Sequence, residues 1–271
     1  MKHHMVSGGG GIQLHLVETG NSSGRPIVFV HGFSQCCLAW TRQMNSALAE
    51  NYRLVAIDMR GHGLSDKPRE GYADSLLWAD DVQAVIQALD LNHPVLCGWS
   101  YGPLMILDYL RHYGEDSIGG VNFVGGVTKL GGDEATSVLT ADFLSLIPGF
   151  FSVDAEESVR SLGALLRLCF ARELSSEERY LMLGYSVSVP PYVRQALFSR
   201  SFDNDDLLPK LRKPVLITHG TDDAIVKSAV IDQQMRRIGC ARIRMMATGH
   251  ACFWDDAAGY NRCLQEFVEG L

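Results

Sequence analysis

The chain lacks several features that would point to other classes of protein. Its apolar runs fall far short of the roughly 20 residues that span a bilayer, which argues against an integral membrane protein. No Lys/Arg cluster stands out, and the formal net charge is −7. A nucleic-acid partner needs a basic face, so that class is set aside. The seven cysteines (36, 37, 97, 169, 240, 252 and 263) are odd in number and form no C-x-x-C pair. That pattern fits reduced thiols in a cytoplasmic protein, not a disulfide framework. The adjacent Cys36 and Cys37 read as small buried fillers. The N-terminus has no apolar leader, so Asn21-Ser22-Ser23 reads as loop chemistry despite its glycosylation pattern. Met5 is an alternative first residue, which would leave Met1–His4 as an appendage. The Gly8–Gly11 run precedes a strand candidate instead of following one, so it is not a dinucleotide fingerprint.

What is present is ordinary globular material. With 271 residues, 46% of them hydrophobic, the chain can bury one large core, alone or with an insertion. Residues 12–18 alternate apolar and polar, as an edge-side strand does. Six further runs, 26–31, 53–58, 94–99, 120–125, 214–219 and 242–247, are short and mostly continuous in apolar residues. Such runs suit strands buried on both faces of a parallel sheet. Helical spacing appears between them at 75–89, 104–113 and 257–268. The alternation predicts an α/β fold with a mostly parallel, doubly wound sheet.

The rhythm breaks between 129 and 204. No clear strand occurs there, and 155–172, 177–185 and 191–199 read as helices, with Pro190-Pro191 as punctuation. The expected organisation is a core of residues 1–128 and 205–271 with a helical cap, 129–204, inserted between two strands and rich in Leu, Phe and Tyr.

One strand ends in Gly98-Trp99-Ser100-Tyr101-Gly102, which fits G-x-S-x-G between a strand and a helix. A sharp turn there holds the serine in a strained backbone and presents its hydroxyl at a helix N-terminus. Pro103 is compatible with this turn, because the first N–H groups of a helix lack intrahelical partners. A serine needs a base. His250 follows the last strand candidate, and the Asp222-Asp223 pair follows the one before it. The order Ser100, Asp223, His250 is the one expected on this kind of sheet, with Asp222 as the alternative acid. Backbone N–H groups of Tyr101 and of Phe33, in His31-Gly32-Phe33, are the expected donors to an oxyanion. His31 reads as a brace for that loop and not as a second base. Phe33, Trp99, Tyr101 and Phe253 are candidates either for an apolar substrate pocket or for the core.

With these pieces together the chain resembles the α/β-hydrolase superfamily over essentially its whole length. The matching segments are His31-Gly32-Phe33, the D-x-R-G-x-G-x-S loop from Asp58 to Ser65, the Gly98–Gly102 turn, Gly220–Val226 as G-x-x-D-x-x-V, and Gly249-His250 with Phe253-Trp254. The resemblance places the acid at Asp223, makes Arg60 and His62 structural, and sets Ser100 apart from relatives with an aspartate nucleophile. It departs at Pro103, where relatives often have glycine, and this points to Pro103 as a shaper of the pocket floor. It implies an esterase or lactonase, near cofactor-free haloperoxidases, that works on a small ester or lactone with an apolar part, without metal or organic cofactor, nucleic acid or membrane. The rivals are a C–C bond hydrolase or perhydrolase with the same triad, and a ligand receptor on the same fold. Oligomeric state is left open.

Overall fold

A computed structural model describes all residues, 1–271. Eight strands form one sheet: β1 (Lys2–Ser7), β2 (Gln13–Gly20), β3 (Pro26–Val30), β4 (Arg53–Ile57), β5 (Val95–Trp99), β6 (Gly120–Val124), β7 (Val215–Gly220) and β8 (Ala241–Met246). Their order is β1-β2-β4-β3-β5-β6-β7-β8. The β1–β2 and β2–β4 pairs are antiparallel, and every later pair is parallel. Strands β3, β5 and β6 are buried at every residue, as their unbroken apolar runs require when helices cover both faces.

Twelve helices accompany the sheet. Before β5 come α1 (Thr41–Met44), α2 (Leu48–Asn51) and α3 (Ser75–Ala88). Next is α4 (Gly102–Tyr113), followed by α5 (Gly132–Ser137), α6 (Ala141–Phe150), α7 (Ala155–Cys169), α8 (Ser176–Val187) and α9 (Pro191–Phe198), all five between β6 and β7. The last are α10 (Ala229–Arg237), α11 (Cys252–Asp255) and α12 (Ala257–Glu269). None is long and apolar enough to cross a membrane. Local chemistry sets their ends. Asp74 and Asp154 accept from the first-turn N–H groups of α3 and α7, and Ser175 with Glu178 forms a reciprocal capping box on α8.

Two sequence expectations change here. The N-terminal residues expected as an appendage form the edge strand β1, with His4 Nε2 2.7 Å from Glu18 Oε2. Strand β2 therefore lies inside the sheet between β1 and β4. The signal was hidden because β1 is exposed at most positions and carries almost no apolar alternation.

The excursion between β6 and β7 is tied to the sheet's carboxyl edge by specific bonds. Ser34 Oγ donates to the Ser186 carbonyl at 3.0 Å, and the Tyr101 hydroxyl donates to that of Leu197 at 3.2 Å. The Ala251 N–H donates to the Cys169 carbonyl at 2.8 Å. Arg200, buried, donates to buried Asp108 on α4 at 2.7 Å while lying over the rings of Trp78 and Phe202. A charge pair this deep needs such close geometry to offset its desolvation.

Candidate active site

The loops that leave β3, β5, β7 and β8 meet above the carboxyl edge of the sheet. They are laced by backbone bonds. Ser100 N–H donates to the Val124 carbonyl at 2.9 Å, Gly125 N–H to Thr218 at 2.8 Å, and Asp222 N–H to Thr248 at 3.0 Å. This lacing brings residues far apart in sequence to fixed neighbouring positions.

Ser100 has φ +58°, the left-handed region that a non-glycine residue occupies at a cost. The flanking glycines are required sterically. A Cβ on Gly98 would lie 2.6 Å from the Pro103 nitrogen, and one on Gly102 would lie 2.7 Å from the Val30 carbonyl oxygen. Pro103 sits in the first turn of α4, where it forfeits no hydrogen bond.

His250 and Asp223 form a buried pair. His250 Nδ1 is 2.7 Å from Asp223 Oδ2, and both side chains are 1% exposed. The other oxygen, Oδ1, accepts from the N–H groups of Ile225 and Val226 at 2.8 Å each. Burial pushes the Asp223 carboxyl up, but the facing His250, the nearby His219 and the Val226 N–H outweigh it and hold the group below its usual range. An ionised carboxylate only accepts, so His250 Nδ1 donates to it, and in the neutral imidazole the lone pair is then on Nε2. His250 Nε2 is buried and bonded to nothing. His219 flanks the acid from its other side, with Nε2 3.8 Å from Asp223 Oδ2. Burial lowers its pKa. Asp222, the alternative acid, is exposed and contributes only backbone here.

The N–H groups of Phe33 and Tyr101 donate to no backbone or side-chain acceptor. His31 braces their loop as a neutral ring. It lies 2.8 Å from the Gly32 carbonyl through Nδ1 and accepts the Met59 N–H at Nε2, 3.0 Å. Burial pushes its pKa down to about 4. Beneath the loop, His15, Cys37 and Asp58 have the mutual spacing of metal ligands. Among them, Asp58 Oδ2 lies 2.7 Å from His15 Nδ1, and Asp58 Oδ1 accepts the backbone N–H of Cys37 at 2.6 Å. Arg60 is paired with Asp81 at 2.7 Å, and His62 is buried with its ring 4.9 Å from that of His31.

Two cavities meet at Ser100. The larger, about 200 Å³, runs among Tyr101, Val127, Leu130, Leu139, Leu144 and Phe198. The smaller, about 30 Å³, is bounded by Gly32, Gln35, Trp99, Leu165, Cys169 and His250. Phe33, Ser100, Phe143 and Ile225 border both. Ser100 and His250 thus face one small space without a hydrogen bond between them, and such contacts often tighten only with substrate bound.

Of the aromatics with an open assignment, Phe33, Trp99 and Tyr101 line these cavities. Phe253 lines neither. It stacks on Trp40 at 4.1 Å and meets Trp99 edge-on at 4.9 Å, in the core. Pro103 also lines neither cavity, which corrects the expectation that it shapes the pocket floor. It packs instead on Gly126, where a Cβ would lie 2.4 Å from Pro103 Cγ. The lining residues Leu139, Phe143, Leu144 and Leu165 lie in the excursion and were not singled out in the sequence. Leu139 lies between helices, Phe143 and Leu144 lie on α6 and Leu165 on α7; their only signal is the Leu- and Phe-rich composition of that stretch.

A family model described as alpha/beta hydrolase fold matches residues 25–257. The AB hydrolase superfamily protein YisY of Bacillus subtilis (strain 168) is 28% identical over 263 residues, 90% of this chain and 91% of its own length. The non-heme chloroperoxidase of Streptomyces lividans is 29% identical over 238 residues, covering 81% of this chain and 82% of that protein. The crystal structure of the esterase RhEst1 from Rhodococcus sp. ECU1013 superimposes with a TM-score of 0.95 at 36% identity, and both chains are covered completely.

Proposed function

The chain belongs to the α/β hydrolase fold family, and from that premise we propose that it is a serine hydrolase cleaving a carboxylic ester or lactone. The observation that carries this reading is the buried His250–Asp223 pair, which leaves Nε2 free in the same small space as the strained Ser100. Ser100 Oγ attacks the ester carbonyl while its proton passes to His250 Nε2. The oxyanion that forms is stabilised by the Phe33 and Tyr101 N–H groups. As the tetrahedral species collapses, the bond to the alkoxy group breaks, and His250 returns the proton to the departing alcohol. Water then repeats the sequence on the acyl-enzyme, releasing the acid and restoring the Ser100 hydroxyl. Asp223 keeps the imidazole in the tautomer the reaction needs and stabilises its cation. In this reading residues 129–204 act as a cap that closes over the acyl group. None of these steps calls for a metal or an organic cofactor.

The test is direct. A fluorophosphonate probe is expected to label Ser100, and Ser100→Ala to lose both labelling and ester hydrolysis. Full hydrolysis by that variant rejects the mechanism. A second reading, transfer of the acyl group to hydrogen peroxide, is supported by the relative named a non-heme chloroperoxidase and uses the same residues. Peracid formed in an ester assay with added peroxide distinguishes the two.

A further inference from the structure

We infer that the two cavities at Ser100 divide the substrate unequally, so that this chain takes esters of one- or two-carbon alcohols with apolar acids of roughly six to eight carbons. The inference rests on the serine-hydrolase reading above and deepens it. An ester sends three groups away from its carbonyl carbon. The oxygen turns to the Phe33 and Tyr101 N–H groups. The leaving oxygen must reach His250 Nε2, which protonates it. The acyl chain takes the remaining direction.

His250 borders only the smaller cavity, so the leaving group enters there. That space is about 30 Å³, two to three times the roughly 10–15 Å³ a cavity needs to hold one water. It accepts methanol or ethanol and, after their departure, the water that cleaves the acyl-enzyme. Leu165 and Cys169 on α7 form its far wall. A longer alcohol meets those buried side chains.

The larger cavity lacks His250 in its lining and is therefore left to the acyl group. It is about 200 Å³, with Leu130, Leu139, Leu144 and Phe198 among its walls. An apolar cavity of roughly 150 Å³ takes up a benzene ring, which sets the acyl length. Phe143 and Ile225 border both spaces where they meet.

The experiment compares two isomers of equal composition and nearly equal hydrophobicity, ethyl hexanoate and hexyl acetate, by pH-stat. The expected result is a kcat/KM at least tenfold higher for ethyl hexanoate. Leu165→Ala is expected to narrow that ratio at least threefold by admitting the hexyl group. Leu144→Trp, at a half-buried position on the larger cavity, is expected to lower the ratio of ethyl hexanoate to ethyl acetate kcat/KM at least fivefold. Equal rates for the two isomers, or a preference for hexyl acetate, overturn the assignment while the hydrolase reading survives. If the wild type hydrolyses no ester and its Ser100 resists fluorophosphonate, the underlying reading fails and the assignment falls with it. Should Leu165→Ala fail to fold, the isomer ratio of the wild type and the Leu144→Trp result still decide the matter.

Discussion

Trp99 Nε1 donates a 3.1 Å hydrogen bond to the backbone carbonyl of His250, so the residue before the serine anchors the residue that carries the imidazole. The two rings are also close, with centroids 5.6 Å apart. Trp99→Phe keeps an apolar ring against Phe253 but leaves a buried carbonyl unpaired, at a cost of about 1–3 kcal/mol. The expected outcome is a kcat lower by roughly tenfold, because small displacements of a catalytic group are expensive, with KM little changed. Steady-state kinetics beside a urea titration check it. A loss of stability with kcat intact would make the bond purely structural.

Asp223 and Asp222 are adjacent, yet their expected contributions differ by orders of magnitude. Asp223→Asn retains an oxygen for the Ile225 and Val226 N–H groups but turns an amide donor toward His250 Nδ1. That reverses the imidazole tautomer, and kcat is expected to fall on the order of 10⁴-fold. Asp222→Asn, at an exposed side chain, is expected to stay within about twofold, as surface changes away from special features usually do. The opposite pattern in kcat would move the acid by one residue.

Pro103 and Gly126 make a pair whose coupling can be measured. Gly126→Ala alone places a methyl 2.4 Å from Pro103 Cγ, and such overpacking is expected to destabilise by about 1–3 kcal/mol. In a Pro103→Ala background the obstructing ring atoms are gone, leaving only Cβ at an ordinary 3.4 Å. Most of the penalty should then vanish, giving a coupling of about 1 kcal/mol or more in a double-mutant cycle. Additive effects of the two substitutions would disprove the contact.

The parts of this fold that were legible in sequence are those in which one physical demand dominates. Strands such as β3 and β5 are buried on both faces, so their apolar runs declare them. Ser100, Asp223 and His250 each follow a strand end, and the glycines around them mark where the backbone must turn tightly. What was illegible answers to mixed demands. Helix α10, Ala229–Arg237, is short, and three of its apolar residues, Ala229, Val230 and Ile231, run consecutively instead of at helical spacing. Helix α6 carries Pro148 and Gly149 in its last turn, which read as breakers. The division of Phe253 from Trp99 was beyond reach because both are buried aromatics near the site. Only three-dimensional placement separates a wall from a core residue.

The acid limb of stability gives a last prediction, and its sign follows from His31. Both ring nitrogens are committed, Nδ1 to the Gly32 carbonyl and Nε2 to the Met59 N–H. A proton on Nε2 would set two donors against each other. Burial, only partly opposed by Asp58, takes the pKa from an ordinary 6.5 down to about 4. Between those values the unfolded chain binds a proton that the folded chain refuses, so stability rises with pH and is lost as pH falls from 6.5 toward 4. A shift of this size is worth about 3 kcal/mol at most. His62, whose ring lies 4.9 Å from that of His31 and whose pKa burial brings to about 3, acts with the same sign. Asp58 is held at about 2 against an ordinary 3.8, so its contribution is lost only at lower pH. Urea midpoints between pH 4.5 and 7 cover this window; burial raises Asp81 and Asp108 to about 6, so they titrate in it with the opposite sign, and His31 is read from the difference between variant and wild type. His31→Gln, which keeps a donor and an acceptor, is expected to lower the wild-type slope by roughly one proton's worth. Parallel pH profiles for the two proteins would show that His31 is not the group responsible.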